Sequence, residues 1–157
     1  MLIELLVAVA LAFCCLLLHV VGILIMSEWL LHRREHFETR GSVALGALLL
    51  VLFSLIMLMH LIEASLWAVF YYKRSLFVDM ETSLYFSLGS YTTIGFGDVL
   101  LPQRWRLLAG IEAIAGVLLC GVSTAFIFAV TTAMVQMRIR KSGKQEPEKG
   151  PDWSLGL

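Results

Sequence analysis

Cysteine and charge are both scarce in this 157-residue chain, and each scarcity narrows the reading. Cys14, Cys15 and Cys120 all fall inside apolar runs, and an odd number of buried thiols makes no disulfide framework. Charged residues are only 15% of the chain and the net charge is zero. No apolar run carries regularly spaced arginines, which argues against a dedicated voltage sensor. No nucleophile, base and orienting group converge in the pattern, so an enzyme is not expected. The chain shows no internal repeat, and no ligand-binding or nucleotide-binding segment follows its last apolar run. Neither a cofactor nor a nucleic-acid partner is expected.

What is abundant is apolar surface. Hydrophobic residues make up 59% of the sequence, too many for an ordinary soluble domain of this size. Three runs, residues 5–26, 43–71 and 107–137, are long enough to cross a hydrocarbon core, which takes roughly 20 helical residues. The first lacks a basic leader and carries Glu4, so it reads as a true span and not as a cleaved signal peptide. The expected class is an all-α membrane protein whose partner is the lipid bilayer.

Basic residues set the orientation. Arg33, Arg34 and Arg40 lie in the linker, residues 31–42. Arg138, Arg140, Lys141, Lys144 and Lys149 lie in the tail, residues 138–157. With both clusters in the cytoplasm, the N-terminus is outside, the C-terminus is inside and residues 73–106 face outward, in a plasma membrane. Trp67, Tyr71, Tyr72 and Trp105 would mark the outer interface and Trp29 the inner one. Beyond its first few residues the tail, polar with Gly and Pro, is expected to be disordered.

Between the second and third runs the chain has too few residues for a domain. Asp79 is a fitting helix N-cap with Glu81 in the first turn, which predicts a short helix over 79–91, too short to cross. It is followed by "TTIGFGD", residues 92–98, with glycine at 95 and 97. Glycine takes positive φ readily, so alternation with ordinary residues turns successive carbonyls to one side. Exposed backbone at membrane depth is tolerated only inside protein or along a water path.

This heptapeptide, placed after a short apolar helix and before Pro102 and a glycine-bearing final span, resembles the potassium channel pore domain. The spelling is one often seen in two-pore-domain potassium channels. The resemblance covers residues 43–137 and implies an outer helix at 43–72, a pore helix at 79–91, a filter at 92–98 and an inner helix at 105–137. The N-terminal helix, residues 1–30, is then an addition to the two-span core, and its Cys14, Cys15 and His19 read as packing residues. By that resemblance the carbonyls of Thr93, Ile94, Gly95 and Phe96, with the Thr93 hydroxyl, replace the hydration shell of K⁺, the permeant ion. Thr92 would support the innermost site. Phe96 favours K⁺, because less selective relatives often carry an acid there. One chain supplies one filter segment, which implies a homotetramer. Two alternatives remain: a weakly selective cation channel on the same scaffold, and a non-conducting subunit that modulates a partner.

The chain departs from the family where a pore-helix tryptophan usually braces the filter. Tyr85 and Phe86 stand there instead, and Gly89 occupies the place of a bracing acid found in some relatives. Asp98 either concentrates cations at the outer mouth, opposing Arg104 and Arg106, or caps a turn. Glu63 and Glu112 each lie about nine residues from the outer end of their spans, roughly 13 Å deep at 1.5 Å per residue. Buried acids in spans face protein or a cavity. Two readings are open: one cluster of Glu63, Glu112 and His60 behind the filter with at least one acid protonated, or separate polar contacts between helices. "HLIE" also places His60 and Glu63 on one helical face as bundle metal sites do, with His19 as the one evident further histidine. In the last span Gly116 and Gly121 are either a hinge or a close helix contact. Val117, Cys120, Thr124 and Phe128 share a stripe that would line the inner cavity.

Overall fold

The computed structural model describes residues 2–33 and 42–145. Part of the linker and the end of the tail, residues 34–41 and 146–157, lie outside the described residues. The described residues form four α-helices: α1 (Leu2–His32), α2 (Ser42–Lys73), α3 (Met80–Tyr91) and α4 (Arg106–Gln145), with a 3₁₀ turn at Gln103–Trp105 before the last. Helix α4 continues through the first residues of the tail, eight beyond residue 137, where the sequence pattern ends the inner helix. Its apolar stripe stops there, but Arg138, Arg140 and Lys141 are good helix formers.

Three of the helices are long and apolar enough to cross a membrane. Most of their large side chains point outward, among them Leu6, Phe13, Leu24, Phe53 and Leu118, as expected when lipid and not water surrounds the bundle. What each helix buries is a narrow stripe. On α1 it is Glu4, Ala8, Cys15, His19 and Met26, at steps of four and seven that keep one face of a 3.6-residue helix inward.

The interior is layered. Ala8, Cys15, Trp67, Tyr71, Leu101, Leu108 and Leu119 form one apolar cluster, and Met26, Leu48, Leu52, Ile56 and Met134 form another. Polar side chains of α1, α2 and α4 lie between them: along its own helix each of His19, Glu63 and Ser123 falls between the residues of one cluster and those of the other. Trp67 and Tyr71 are fully buried, so they are not interface anchors as the aromatic pattern implies. Helical spacing puts them on the same inward face as Glu63, Ala64 and Ala68, and leaves Tyr72 exposed on the other.

Helix α2 ends in a Schellman arrangement, with Leu76 N–H donating to Tyr71 O and Ser75 N–H to Tyr72 O. Ser75 takes the left-handed position (φ 51°) that usually falls to glycine. Helix α3 starts at Asp79, whose carboxylate accepts from Thr82 N–H at 2.7 Å. Twelve residues span about 18 Å, short of the roughly 30 Å core, so α3 enters the bundle between α2 and α4 and the chain turns back.

Candidate functional site: a filter segment and the polar layer behind it

The turn back is made by residues 92–98. Thr92 closes α3 with its N–H and its hydroxyl both on Leu88 O, at 3.1 and 2.6 Å. Thr93 N–H then donates to Ser90 O, and Gly95 N–H to Gly89 O at 3.0 Å. Positive φ occurs at Thr93 (61°), Gly95 (54°) and Gly97 (81°), so left-handed residues alternate with ordinary ones over five positions. That alternation turns successive carbonyls toward one side. Glycine accepts it freely, but Thr93 is β-branched, and a left-handed β-branched residue is strained by roughly 1–3 kcal/mol.

The far end of the segment is tied back to α3. The Tyr85 hydroxyl donates to Asp98 Oδ2 at 2.8 Å, and the Tyr85 ring stacks on Phe96 with centroids 5.7 Å apart and an 11° tilt. Asp98 Oδ1 accepts from Val99 N–H. A cleft of about 260 Å³ lies behind the segment, lined by Tyr85, Phe86, Gly89, Phe96, Asp98 and Ala109 among others. Where some channels have a bracing acid, a Cβ on Gly89 would merely touch the Phe96 ring at 3.9 Å. Arg104 does not face Asp98: it pairs with Glu4 at the start of α1, and Arg106 donates to Leu101 O.

A family model described as an ion channel matches residues 47–133, more than half of the chain. The chain belongs to the ion channel family. No curated protein and no solved structure matches it. The match runs from α2 through α3 and residues 92–98 into α4, leaves α1 outside, and points to a channel and not to an enzyme. This is a multi-pass, all-helical membrane channel with a pore-type core and an added N-terminal helix.

In this channel Glu63 and Glu112 belong to two sets, which is the second of the two open readings and not the single cluster. The first contains Glu63 and His19, both fully buried, and the half-buried His60. His19 Nδ1 lies 2.9 Å from Glu63 Oε1, and His60 Nδ1 lies 3.2 Å from Oε2. Tyr91 Oη donates to Glu63 Oε2 and sits 2.8 Å from His60 Nδ1. Ser123 Oγ is 3.0 Å from Nε2 of both histidines. His19, His60 and Glu63 also present ligand atoms within 4.8 Å of one another, a spacing a metal ion could use.

The second set is Glu112, Ser87 and Tyr71, all fully buried. Tyr71 Oη donates to Glu112 Oε2 at 2.7 Å, and Ser87 Oγ contacts both Glu112 Oε1 and Ala64 O, the latter at 2.6 Å. Ser87 owns one hydrogen for these two oxygens, so a carboxyl proton on Glu112 would complete the second contact. Ser87 and Tyr91 explain the separation: they are one helical turn apart on α3, and each reaches a different acid.

The sequence singled out Glu63, Glu112 and His60 but not Tyr91, Ser87, Tyr71 or Ser123, and it read His19 as packing. An ionisable residue in the middle of a span is a signal in itself, and His19 carried it. The hydroxyl partners carried none, because a lone serine or tyrosine is ordinary in any of these helices.

Gly116 lies against the carbonyl of Tyr91, where an added Cβ would stand 2.1 Å from the oxygen. Nothing lies within 4 Å of a Cβ at Gly121, and α4 is continuous through both. Val117, Cys120, Thr124 and Phe128 are all exposed on one chain, with the Thr124 hydroxyl donating to Cys120 O.

Proposed function

We propose that four copies of the chain assemble around residues 92–98 into a potassium-selective channel that passes K⁺ down its gradient across the plasma membrane. The observation that carries this reading is the alternation of positive φ at Thr93, Gly95 and Gly97 within "TTIGFGD". K⁺ exchanges its water for the carbonyls of Thr93, Ile94, Gly95 and Phe96. Every residue from Thr92 to Asp98 is exposed on one chain, and backbone at membrane depth must be covered by protein or line a water path. Neighbouring copies supply the cover and the ion path supplies the remaining side.

The pore unit is residues 43–137, and Val117, Cys120, Thr124 and Phe128 face the axis below the filter. The N-terminus and Asp98 face outward and the C-terminus lies in the cytoplasm. Eight basic residues in the linker and tail, against four (Lys73, Arg74, Arg104 and Arg106) beside the filter, support that orientation, and the Glu4–Arg104 pair puts the start of α1 at the filter-mouth end.

The test is the reversal potential of the purified protein in a planar bilayer with K⁺ on one side and Na⁺ on the other. A value near the K⁺ equilibrium potential, lost in Gly95→Ala, is expected. Robust current that reverses near zero would leave a weakly selective pore. No current from an assembled tetramer would favour a modulatory subunit.

A further inference from the structure

The first polar set closes on itself. Going round, the contacts are Glu63 Oε1 to His19 Nδ1, His19 Nε2 to Ser123 Oγ, Ser123 Oγ to His60 Nε2, His60 Nδ1 to Tyr91 Oη, and Tyr91 Oη to Glu63 Oε2. Each is a heavy-atom pair at hydrogen-bonding distance, and each needs one hydrogen between its atoms. Five contacts need five hydrogens; the longer contact of His60 Nδ1 with Glu63 Oε2, 3.2 Å, spans the Tyr91 corner and shares its hydrogen. With Glu63 ionised and both imidazoles neutral, the members supply four: one each from His19, His60, Ser123 and Tyr91. Whichever tautomers the imidazoles take, one contact is left with two lone pairs opposed in the bundle interior; with both hydrogens on Nδ1 it lies between Ser123 and one Nε2.

We propose that the ring of Glu63, His19, Ser123, His60 and Tyr91 is a proton-binding site that takes up one further proton and couples it to the filter. The fifth hydrogen places an N–H on one of the two Nε2 atoms, in whichever direction the ring is ordered and whether the charge rests on an imidazole or the proton on Glu63. The filled ring is electrically neutral, which suits a site between two apolar clusters.

Besides the members, α1 brings the Cys15 thiol, on Glu63 O at 3.9 Å, and α4 brings Cys120, 4.0 Å from His60 Nε2. Neither fills the 3.0 Å gap between Ser123 and His60. Glu112, the other acid of α4, is turned to Ser87 and Tyr71.

Tyr91 is the last residue of α3 and adjoins Thr92, so the ring holds the end of the pore helix to all three spans. It also gives α1 a task, since His19 lies outside the family match. The proton is held by the closed ring and not by an opened one, so the closed form is favoured at low pH and lost as pH rises. The link to conduction rests on the pore reading above, whereas the proton count does not.

The experiment is nitrogen NMR of ¹⁵N-histidine-labelled protein in lipid nanodiscs, titrated from roughly pH 5 to pH 9, with bilayer currents over the same range. His32→Gln and His36→Gln leave the two ring imidazoles alone to be read. The expected result is one protonated Nε2 per chain at neutral pH, lost on alkalinisation together with a roughly fivefold fall in open probability, the shift one hydrogen bond produces. Glu63→Gln supplies the fifth hydrogen from its amide, so its Nε2 proton and its current should not change with pH. Ser123→Ala removes two contacts and one donor, so three hydrogens fill three contacts and both Nε2 atoms should be bare at neutral pH.

Both Nε2 atoms bare in the native chain at every pH would overturn the proposal, and that result needs no variant. So would one zinc per chain in the purified protein, with the metal in place of the proton. An unselective current with the Nε2 proton present would instead fail the potassium reading and leave the proton site standing.

Discussion

The hydroxyl of Tyr85 holds the carboxylate of Asp98 at 2.8 Å while its ring lies flat on Phe96. One side chain of α3 thus grips the filter segment twice, by a charge-assisted hydrogen bond and by a stacked pair. The carboxylate in turn holds the phenol above its usual range, so the donor persists through ordinary alkaline conditions. Tyr85→Phe keeps the stack and removes the bond. The variant should still conduct, with shorter openings and faster loss of current in low K⁺, read from single-channel dwell times. Dwell times equal to those of the native chain would show that the bond does not hold the outer filter.

Gly116 and Gly121 are equivalent in sequence logic and different in space. An alanine methyl at 116 meets the Tyr91 carbonyl, which is backbone and gives little, so Gly116→Ala should destabilise the protein by at least the roughly 1–3 kcal/mol of an overpacked core. Gly121→Ala meets nothing and should raise helix stability by about 0.5–1 kcal/mol. Thermal unfolding and tetramer yield in detergent check both. Equal yields would mean that α3 and α4 separate easily, and the packing role of Gly116 would fall.

The membrane class and the helical pore architecture were legible because apolar run length and the glycine spacing of residues 92–98 are local properties of the chain. The grouping of the acids was not. Depth along a helix placed Glu63 and Glu112 in one layer, but which acid meets which partner depends on helix rotation, and rotation is set by packing among all four helices. His19 needed the position of α1, for which the two-span resemblance offers no counterpart. The left-handed turn at Thr93 was also hidden, since a β-branched residue gives no warning of positive φ.

At the entry to the pore helix the Asp79 carboxylate is fixed by the Thr82 N–H, which holds its carboxyl below the usual range. A lowered value means that the stabilisation is present above the unfolded value and is lost as pH falls through the folded one. Asp79→Ala should therefore lower the melting temperature at neutral pH and lose that deficit in acid. Asp79→Asn keeps a capping oxygen and should show a smaller deficit. Melting curves from pH 3 to pH 7 test the pattern, and a deficit independent of pH in Asp79→Ala would exclude the charged cap.

Glu112 joins α4 to α3 through Ser87 and to α2 through Tyr71. Removing it leaves the Tyr71 hydroxyl without its acceptor and opens a void among fully buried groups, so Glu112→Ala should cost roughly 1–3 kcal/mol or more. Glu112→Gln presents an N–H to Ser87 in place of the carboxyl proton and keeps an oxygen for Tyr71, so it should unfold close to the native temperature. The Ser87 hydroxyl turns its own hydrogen to Ala64 O to receive that N–H, so the amide leaves none of the three partners unsatisfied. A melting temperature for Glu112→Gln as low as that for Glu112→Ala would show that the contact needs the carboxyl group itself and not merely its shape and one donor.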